Sequence, residues 1–228
     1  MPKRKLQKFA DVRAFPNVFE CYNMQIPSLT LGDDEVAMRG LWLPKYFKNE
    51  NPITLELACG GGEYTVELAR RYPDRNFIGI DIKGNRIWKG AKVALADGLP
   101  NAAFIRARIE GIDHFFEKNE VDELWITFPD PFLREGKSRR RLTSPFFLEK
   151  YRHFLRPGGL VHLKTDERKL YDFTLETIAD DPRCAVIYHD DDVHAKPHPF
   201  GELDIKTFYE AKDIAGERQV KYVRFTIH

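Results

Sequence analysis

The chain has 228 residues, of which 43% are hydrophobic and 13% aromatic, and its formal net charge is +1. A chain of this length and composition can bury a full core, most simply as one domain, which excludes an intrinsically disordered protein. Because the three cysteines form no CxxC pair, and because the chain has neither a signal peptide nor an apolar run of roughly 18 residues, we expect a cytoplasmic protein that does not enter a membrane.

Positive charge is concentrated in two segments. Residues 1–13 and residues 134–141 each hold five cations and one acidic residue. Residues 1–30 show no clear periodicity, so we interpret them as a basic N-terminal arm packed on the surface, ahead of a single domain at residues 31–228. The arm either contacts RNA or is a floppy terminus. The second segment is typical of a surface that binds phosphate groups, with a plain solvated loop as the alternative.

From residue 52 onward, short apolar runs alternate with helical patterns. Strands are predicted at Ile53–Ala58, Asn76–Ile82, Ala102–Ala107, Val121–Phe128, Leu160–Thr165, Cys184–His189 and Val220–Ile227. Helices are predicted around residues 65–72 and 87–94, from Ser144-Pro145 to Leu155, and up to about Ile178. This alternation predicts an α/β fold with a doubly wound, Rossmann-like and mostly parallel sheet. The last two strands are expected to pair like a β-hairpin with a long loop.

A glycine loop follows the first of these strands. The segment Leu55–Cys59 leads directly into Gly60, Gly61 and Gly62, which is the place where open α/β sheets bind ligands. Asp81 ends the second strand, 21 residues after Gly60, and its carboxylate can accept both hydroxyls of a ribose. Thr65 replaces the third glycine of a dinucleotide fingerprint, and the charge of Glu56 suits a sulfonium better than a pyrophosphate. The pattern therefore predicts S-adenosylmethionine as the cofactor.

The fourth predicted strand ends in Phe128-Pro129-Asp130-Pro131-Phe132, where two prolines restrict the backbone around an aspartate. A rigid carboxylate beside the cations of residues 134–141 suggests a site that orients a polar base while the cations hold the nucleic-acid backbone. The alternative is a turn aspartate with no chemical role. The first interpretation predicts nucleic-acid chemistry at this end of the sheet.

Six segments, in this order, resemble the bacterial tRNA (guanine-N7)-methyltransferase family of class I methyltransferases. They are Leu55-Glu56, Ile78-Gly79-Ile80-Asp81, Phe128-Pro129-Asp130-Pro131, Arg139-Arg140-Arg141-Leu142, Lys164-Thr165-Asp166 and Thr207-Phe208-Tyr209-Glu210. The resemblance extends over nearly the whole chain. It implies a sheet of about seven strands and methyl transfer from S-adenosylmethionine to N7 of guanine 46 in the variable loop of tRNA.

Together with the resemblance, the motifs assign site residues. The expected cofactor-binding residues are Glu56, Gly60, Gly62, Asp81, Arg108 and Asp130, and Asp130 is also the expected catalytic residue. The expected substrate-binding residues are Arg134, Asp166, Thr207, Phe208, Tyr209 and Glu210. The phosphate-binding patch is expected to consist of Lys137, Arg139, Arg140 and Arg141. Three features depart from the family pattern. Phe132, Leu133 and Arg134 replace a tryptophan, a proline and a lysine. Arg108 replaces an acidic residue at the adenine-contacting position, for which Glu110 is a nearby substitute, and the acidic and histidine residues between His189 and Glu202 are additional.

The expected mechanism needs no strong base, because N7 of neutral guanine carries a lone pair and no proton. We expect Asp130, and also Asp166, to orient the base through hydrogen bonds from its N1 and exocyclic amine. For Asp166 a helix cap is the alternative. We expect Trp42, Trp88 and Trp125 to be core residues, and we predict no metal site at His189, His194 and His198 with Asp190 to Asp192.

Two other functions remain open at this point. One is an amino-group methyltransferase that acts on adenine or protein, because such enzymes also place an Asp-Pro motif after the fourth strand. The other is an RNA-binding protein that keeps the cofactor pocket without turnover. The sequence indicates no obligatory protein partner, and it leaves the oligomeric state undetermined.

Overall fold

The computed structural model describes residues 3–23, 25, 27–195, 197–211 and 219–228. Its strands are β1 Val18–Glu20, β2 Leu29–Leu31, β3 Asp34–Val36, β4 Ile53–Leu57, β5 Asn76–Asp81, β6 Ala102–Arg106, β7 Val121–Thr127, β8 Leu155–Thr165, β9 Cys184–Asp190 and β10 Lys221–Ile227. Its α-helices are α1 Lys3–Ala14, α2 Glu63–Arg71, α3 Gly84–Ala96, α4 Pro145–Arg152, α5 Arg168–Asp180 and α6 Phe208–Ala211. None of the helices in this described part is long and apolar enough to cross a membrane.

The strands form one sheet in the order β3-β2-β1-β6-β5-β4-β7-β8-β10-β9. The five strands from β6 to β8 run parallel, and β10 lies antiparallel between β8 and β9. The doubly wound α/β fold, the seven predicted strands and the hairpin-like final pair are therefore confirmed. The order reverses around β4, whose neighbours are β5 and β7, and such reversals open a crevice at the carboxyl ends of the strands.

The sheet exceeds the expected seven strands because the segment before residue 37 contributes three more. β1 pairs in parallel with β6, and β2 and β3 extend the same edge in antiparallel pairing. Helix α1 packs beside these strands through Val12, which is fully buried. Val18 and Phe19 of β1 are each only 1% exposed. Regular structure thus occurs within residues 1–30, where the sequence shows no clear period. The division into an arm and a domain stays a prediction.

The boundary between α4 and β8 also differs from the prediction. The helix ends at Arg152, and Leu155 already pairs with Val121 in the sheet. Pro157, Gly158 and Gly159 lie inside β8, where the register shifts against β7. An irregularity of this kind accommodates a proline, which cannot donate to the ladder, and Gly158 adopts φ +75°. The Pro-Gly-Gly signal therefore marks a bulged strand start and not a helix end at Leu155.

Buried side chains cover both faces of the sheet, as the doubly wound arrangement requires. Trp42 and Trp125 are buried in these two layers, which confirms their interpretation as core residues. Trp88 is half-buried between α1 and α3, where its Nε1 donates a hydrogen bond of 2.8 Å to Asp11 Oδ2. The core thus fixes the carboxyl ends of β4, β5, β6 and β7 relative to one another.

Candidate active site

Two adjoining cavities open at the carboxyl ends of these strands. The first cavity, of about 300 Å³, is lined by Asp81, Ile82, Arg108, Ile109, Glu110, Asp130 and Arg140 among others. The second cavity, of about 470 Å³, is lined by Lys8, Cys59, Gly60, Gly61, Lys89, Thr207, Phe208 and Tyr209 among others. Ala58, Arg86 and Phe128 belong to both walls. The structure therefore brings most of the predicted site residues to one crevice.

The glycine loop needs residues without a side chain for two physical reasons. Gly60 and Gly62 adopt φ values of +56° and +72°, which side-chain-bearing residues rarely tolerate. A Cβ on Gly62 would also lie 2.5 Å from Cε1 of Phe104. Helix α3 approaches the same loop through Gly90, where a Cβ would lie 2.6 Å from the Gly61 carbonyl oxygen. Gly90 therefore allows a helix to approach the glycine loop closely. In a dinucleotide fingerprint the third glycine has this role, and here Thr65 occupies that position.

Glu56 lines neither cavity. Its Oε2 accepts hydrogen bonds from Thr65 N at 2.8 Å and Thr65 Oγ1 at 2.6 Å, and its Oε1 accepts one from Thr127 Oγ1 at 3.1 Å. Burial raises the pKa of the Glu56 carboxyl to about 7, although these hydrogen bonds act in the opposite direction. Glu56 thus ties the first turn of α2 to the end of β7. A direct role in cofactor binding stays a prediction.

Asp81 stands in the first cavity as predicted from the sequence. Its Oδ2 accepts a hydrogen bond of 3.0 Å from Gly60 N, and its Oδ1 accepts one of 2.7 Å from Lys83 N. A carboxylate has about four acceptor positions, so each oxygen retains one for a ligand hydroxyl. The adjacent Ile82 is 50% exposed and forms, with Ile109, an apolar wall that the sequence reasoning missed. An apolar residue directly after the acidic strand end was the available signal.

Arg108 and Glu110 share a wall of the first cavity. Arg108 is exposed, and its Nη2 donates a hydrogen bond of 3.3 Å to Glu110 Oε1. Glu110, the possible substitute for the missing acidic residue, therefore lies beside Arg108, which occupies the position of that acidic residue. Either side chain can reach a ligand in that cavity, and the pair supplies both a donor and an acceptor.

The Asp130 turn contains two strained residues. Phe128 and Phe132 adopt φ values of +46° and +44°, a region that costs a residue with a side chain on the order of 1–3 kcal/mol. Arg141 holds this turn: its Nε donates to Pro131 O and its Nη2 donates to Phe132 O, both at 3.2 Å. The exposed Asp130 consequently lines the first cavity from a fixed backbone.

Arg141 must be removed from the predicted phosphate-binding patch. It is only 7% exposed, and its guanidinium lies 4.3 Å from the Phe173 ring centroid. The other four cations of the segment are exposed and form no ion pair with any residue that the structure describes: Arg134, Lys137, Arg139 and Arg140. We call these four the basic loop. It borders the first cavity through Arg140, which lies 4.6 Å above the Phe132 ring.

The segment Thr207–Glu210 forms a capping box at the start of α6. Glu210 Oε2 accepts a hydrogen bond of 3.0 Å from Thr207 N, and Thr207 Oγ1 accepts one of 3.2 Å from Glu210 N. The Glu210 side chain is 4% exposed, and its Oε1 lies 2.9 Å from Nζ of the fully buried Lys164. Glu210 is therefore turned away from the cavity, and its predicted contact with substrate is not supported by this geometry.

Lys164 connects this segment to the rest of the site. Its ammonium donates to Tyr64 OH at 3.1 Å and to the carbonyl oxygens of Leu203 and Ile205 at 3.0 Å and 3.1 Å. Burial lowers the pKa of Lys164, and the adjacent Glu210 carboxylate opposes that shift. One buried cation thus joins β8, α2 and the segment before α6. This role was not identified from the sequence, although Lys164-Thr165-Asp166 was noted as a motif.

With Thr207 and Glu210 in the capping box and Glu210 paired with Lys164, Phe208 and Tyr209 lie on the wall of the second cavity. Phe208 is 51% exposed, and its ring centroid lies 5.4 Å from the Lys89 ammonium. Tyr209 packs against Phe128 at 5.6 Å and donates a hydrogen bond of 3.4 Å to Asp166 Oδ2. The cap of α5 is Glu167, which accepts from Lys169 N, so the alternative interpretation of Asp166 as that cap is wrong.

Histidines of the segment that was tested for a metal site, residues 189–198, contact protein side chains. His189 Nδ1 shares a hydrogen bond of 2.8 Å with Tyr171 OH, and His198 Nε2 lies 3.5 Å from Asp204 Oδ1. Within the described ranges, no three His, Cys, Asp or Glu side chains are grouped closely enough to hold a metal ion.

Comparisons with known proteins identify methyltransferase relatives of this chain. The model of the family described as "Putative methyltransferase" (Methyltransf_4) matches residues 50–223. The chain is 43% identical over 225 residues to a tRNA (guanine-N(7)-)-methyltransferase of Christiangramia forsetii. The alignment covers 99% of this chain and 98% of that relative. It is also 43% identical to the protein of the same name from Bacteroides fragilis, over 100% of this chain and 87% of the relative.

Solved structures share the fold at low sequence identity. The 16S rRNA methyltransferase KamB superposes with a TM-score of 0.61 and 18% identity, over 86% of this chain and 97% of that one. TrmN from Thermus thermophilus gives a TM-score of 0.56 and 20% identity, over 83% of this chain and 48% of that one. These likenesses establish the class I methyltransferase fold, whereas the sequence matches are close enough to assign a family. On the strength of those matches, this chain belongs to the tRNA (guanine-N(7)-)-methyltransferase family.

Proposed function

We propose that this protein transfers a methyl group from S-adenosylmethionine to N7 of guanine 46 in the variable loop of tRNA. The observation that carries the proposal is the placement of Asp130: it lines the first cavity from a strained, fixed turn and lies four residues before the exposed basic loop begins at Arg134. The names of the relatives support guanine N7 of tRNA as the target. Position 46 comes from the motif resemblance.

The residues present fit S-adenosylmethionine. Asp81 offers unused acceptor positions for a ribose, the glycine loop allows close backbone approach, and Ile82 with Ile109 offers an apolar wall for a base. When bound, this cofactor supplies an electrophilic methyl group on a positively charged sulfur. We assign Asp81, Gly60, Gly62, Arg108 and Asp130 to holding it, and Glu56 to supporting the loop.

Catalysis by this chain then rests on positioning. N7 of guanine has a free lone pair, so no residue has to remove a proton before attack. Asp130 and Asp166 accept hydrogen bonds from the base's N1 and exocyclic amine, which fixes the ring and offsets the positive charge that develops on it. Orientation of this kind contributes roughly 7–11 kcal/mol in favourable cases. Phe208 and Tyr209 supply an aromatic wall for the base, and the basic loop, which includes Arg134, holds the backbone of the RNA.

The direct test is incubation of the protein with labelled S-adenosylmethionine and unmodified tRNA. We expect label in tRNA and, after borohydride and aniline treatment, chain cleavage in the variable loop. Asp130→Asn is expected to lower turnover strongly and cofactor affinity to a lesser extent, and Glu135→Gln in the same exposed segment serves as the matched control. Label in adenine or in protein, or tRNA binding without label, would contradict the proposal.

We further propose that the protein acts in the cytoplasm, where its tRNA substrate is found, and that it requires no protein partner. Activity of the purified chain alone tests the second point. Loss of activity on purification, with recovery on adding cell extract, would overturn it.

A further inference from the structure

Helices α1 and α3 present a row of cations beside the second cavity, and the proposed chemistry does not use these cations. Arg86, Lys89 and Lys92 are spaced three residues apart on α3, so their side chains leave neighbouring positions of the helix surface. Lys8 joins them from α1: its ammonium lies 4.4 Å from the Trp88 ring centroid, and that of Lys92 lies 5.0 Å from the same centroid. We call these four residues the helical cation row.

The row is held in place by the docking of α1 on α3. Trp88 Nε1 donates to Asp11 Oδ2 at 2.8 Å, and Asn17 Nδ2 donates to the Ala91 carbonyl at 3.1 Å. Val12 of α1 is fully buried. Lys8 therefore lines the second cavity from a packed helix and not from a loose terminus.

Little negative charge opposes the row. Lys89 lies 3.0 Å from Glu63, and Asp11 interacts electrostatically with Lys92 while accepting hydrogen bonds from Gln7 and Trp88. Lys8, Arg86 and Lys92 form no ion pair with any residue in the described ranges. Outside the row and the basic loop, several exposed arginines are paired, as in Arg71 with Glu67 and Arg168 with Asp172. Two ammonium groups on one indole ring repel each other, and a polyanion relieves that repulsion.

The row and the basic loop lie mainly at different cavities, although Arg86 of the row belongs to the walls of both. The basic loop reaches the first cavity through Arg140, whereas Lys8 and Lys89 line the second. Phe208, a 51% exposed aromatic ring 5.4 Å from the Lys89 ammonium, stands in the same second cavity. Cations next to an exposed aromatic ring favour RNA over an acidic peptide, because bases stack on such rings while phosphates pair with the cations.

We propose that the helical cation row binds backbone phosphates of the RNA on one side of the target guanosine, while the basic loop binds phosphates on the other side. The inference rests on the proposed function and deepens it, because it gives the substrate two separate phosphate-binding surfaces. A single tRNA bridges both, with the target base between them.

The test is the salt dependence of tRNA binding, measured with S-adenosylhomocysteine present to prevent turnover. For Lys8→Gln and for Lys92→Gln, the slope of log K against log salt concentration is expected to fall by about 0.7–0.9 for each phosphate that the variant no longer neutralises. The double variant is expected to show about twice that reduction. Lys118→Gln is the control, because Lys118 is exposed and precedes β7 at the amino end of the parallel strands.

Combining Lys92→Gln with Lys137→Gln tests whether one tRNA spans both surfaces, in which case the two reductions in slope add. Lys92→Arg, which keeps the charge, is expected to retain the wild-type slope. A wild-type slope in Lys8→Gln and Lys92→Gln would overturn the inference. If the wild-type chain methylates tRNA at guanine N7 and these slopes are unchanged, only this inference fails, whereas absence of methylation in the wild type removes the proposed function itself.

Discussion

Asp81, Asp130 and Glu56 are three carboxylates of one crevice with different surroundings. Asp81 lines the first cavity with two backbone donors already bound, Asp130 is exposed on a strained turn, and Glu56 is buried behind the cavity walls. Burial disfavours the charged form of Glu56, whereas Asp81 and Asp130 line the first cavity, where a ligand can reach them. Residue type alone therefore does not determine whether a carboxylate binds a ligand or supports the loop that does.

Glu56 should make the stability of the protein depend on pH in a definite direction. Its folded-state pKa of about 7 lies above the ordinary value of 4.5, so the folded state holds an extra proton between these pH values. Stability consequently falls as pH rises through that window, by roughly 3 kcal/mol in total at 1.36 kcal/mol per unit. Glu56→Gln removes this titration, and the amide can still accept from Thr65.

The measurement is the urea midpoint of wild type and Glu56→Gln between pH 4.5 and about 8, without cofactor. The variant is expected to gain in relative stability as pH rises, whereas Glu135→Gln, an exposed control, should show no such trend. A constant difference between wild type and Glu56→Gln across the range would contradict a raised pKa.

At the scale of single residues, sequence predicted which side chains assemble but not which of them face the ligand. Asp81 and Asp130 follow strand ends, and parallel strands bring their carboxyl ends to one edge, so their meeting was predictable. Arg141 looks like Arg139 and Arg140 in the sequence, and only the tertiary contacts with Pro131, Phe132 and Phe173 bury it. Glu210 is buried against Lys164, which is far away in the sequence, a pairing that no local pattern contains.

Among the elements, α3 governs the glycine loop through one residue. Gly90 is buried, and an added Cβ would lie 2.6 Å from the Gly61 carbonyl and 2.9 Å from Cζ of Phe104. Intrinsic helix propensity favours alanine over glycine by about 1 kcal/mol, so a destabilising result at this position would isolate the steric effect. Overpacking typically costs about 1–3 kcal/mol, which is enough to outweigh that preference.

We therefore expect Gly90→Ala to weaken S-adenosylmethionine binding and to lower the melting temperature. Calorimetric titration and thermal unfolding provide the two measurements. Gly136→Ala is the control, since a Cβ there would meet no atom within 4 Å. Unchanged cofactor affinity in Gly90→Ala would show that α3 does not constrain the loop.

The described part of helix α6 covers four residues, Phe208–Ala211, which by themselves form too few hydrogen bonds to be stable. Its position depends instead on the capping box of Thr207 and Glu210 and on the buried pair of Glu210 with Lys164. Removing one partner of a buried ion pair generally costs about 3–5 kcal/mol, because the other charge is left buried, whereas replacing both by apolar residues is often nearly neutral.

Lys164→Met is accordingly expected to destabilise the protein strongly and to displace Phe208 and Tyr209 from the second cavity, which raises KM for tRNA. The double variant Lys164→Met with Glu210→Leu should recover much of the stability. Denaturant unfolding and steady-state kinetics are the measurements, with Lys169→Met as an exposed control. If the double variant is as unstable as Lys164→Met alone, the ion pair is not what holds α6.

Across the whole molecule, the sheet was predictable where strands are long and apolar. The seven predicted strands form its centre and one edge, because each has an apolar segment in the sequence that is bounded by glycine, proline or charged residues. The three strands of the other edge have only three residues each. Segments that short carry no readable period, so tertiary packing alone decides the pairing of β1 with β6 and the addition of β2 and β3 beyond it.

At the amino end of the sheet, a polar network joins β7, β8 and β10. Glu123 forms an ion pair with Arg75, and its Oε1 lies 2.9 Å from His162 Nε2. His162 Nδ1 shares a hydrogen bond of 2.6 Å with Tyr222 OH, and the His162 ring stacks on Trp125 at 4.1 Å. Burial alone raises the pKa of Glu123, but His162 and Arg75 outweigh it and lower the pKa to about 2.

This network should determine the acid limit of the fold. Because the folded-state pKa of Glu123 lies below its ordinary value of 4.5, its contribution is fully present above pH 4.5 and is lost as pH falls toward about 2. Glu56 acts in the opposite sense between pH 4.5 and about 7, so we expect maximum stability near pH 4.5–5 from these two groups. Denaturant unfolding at closely spaced pH values measures this maximum. Glu123→Gln should flatten the acid limb and Glu56→Gln the neutral limb, and an acid limb that persists unchanged in Glu123→Gln would assign acid unfolding to other carboxylates.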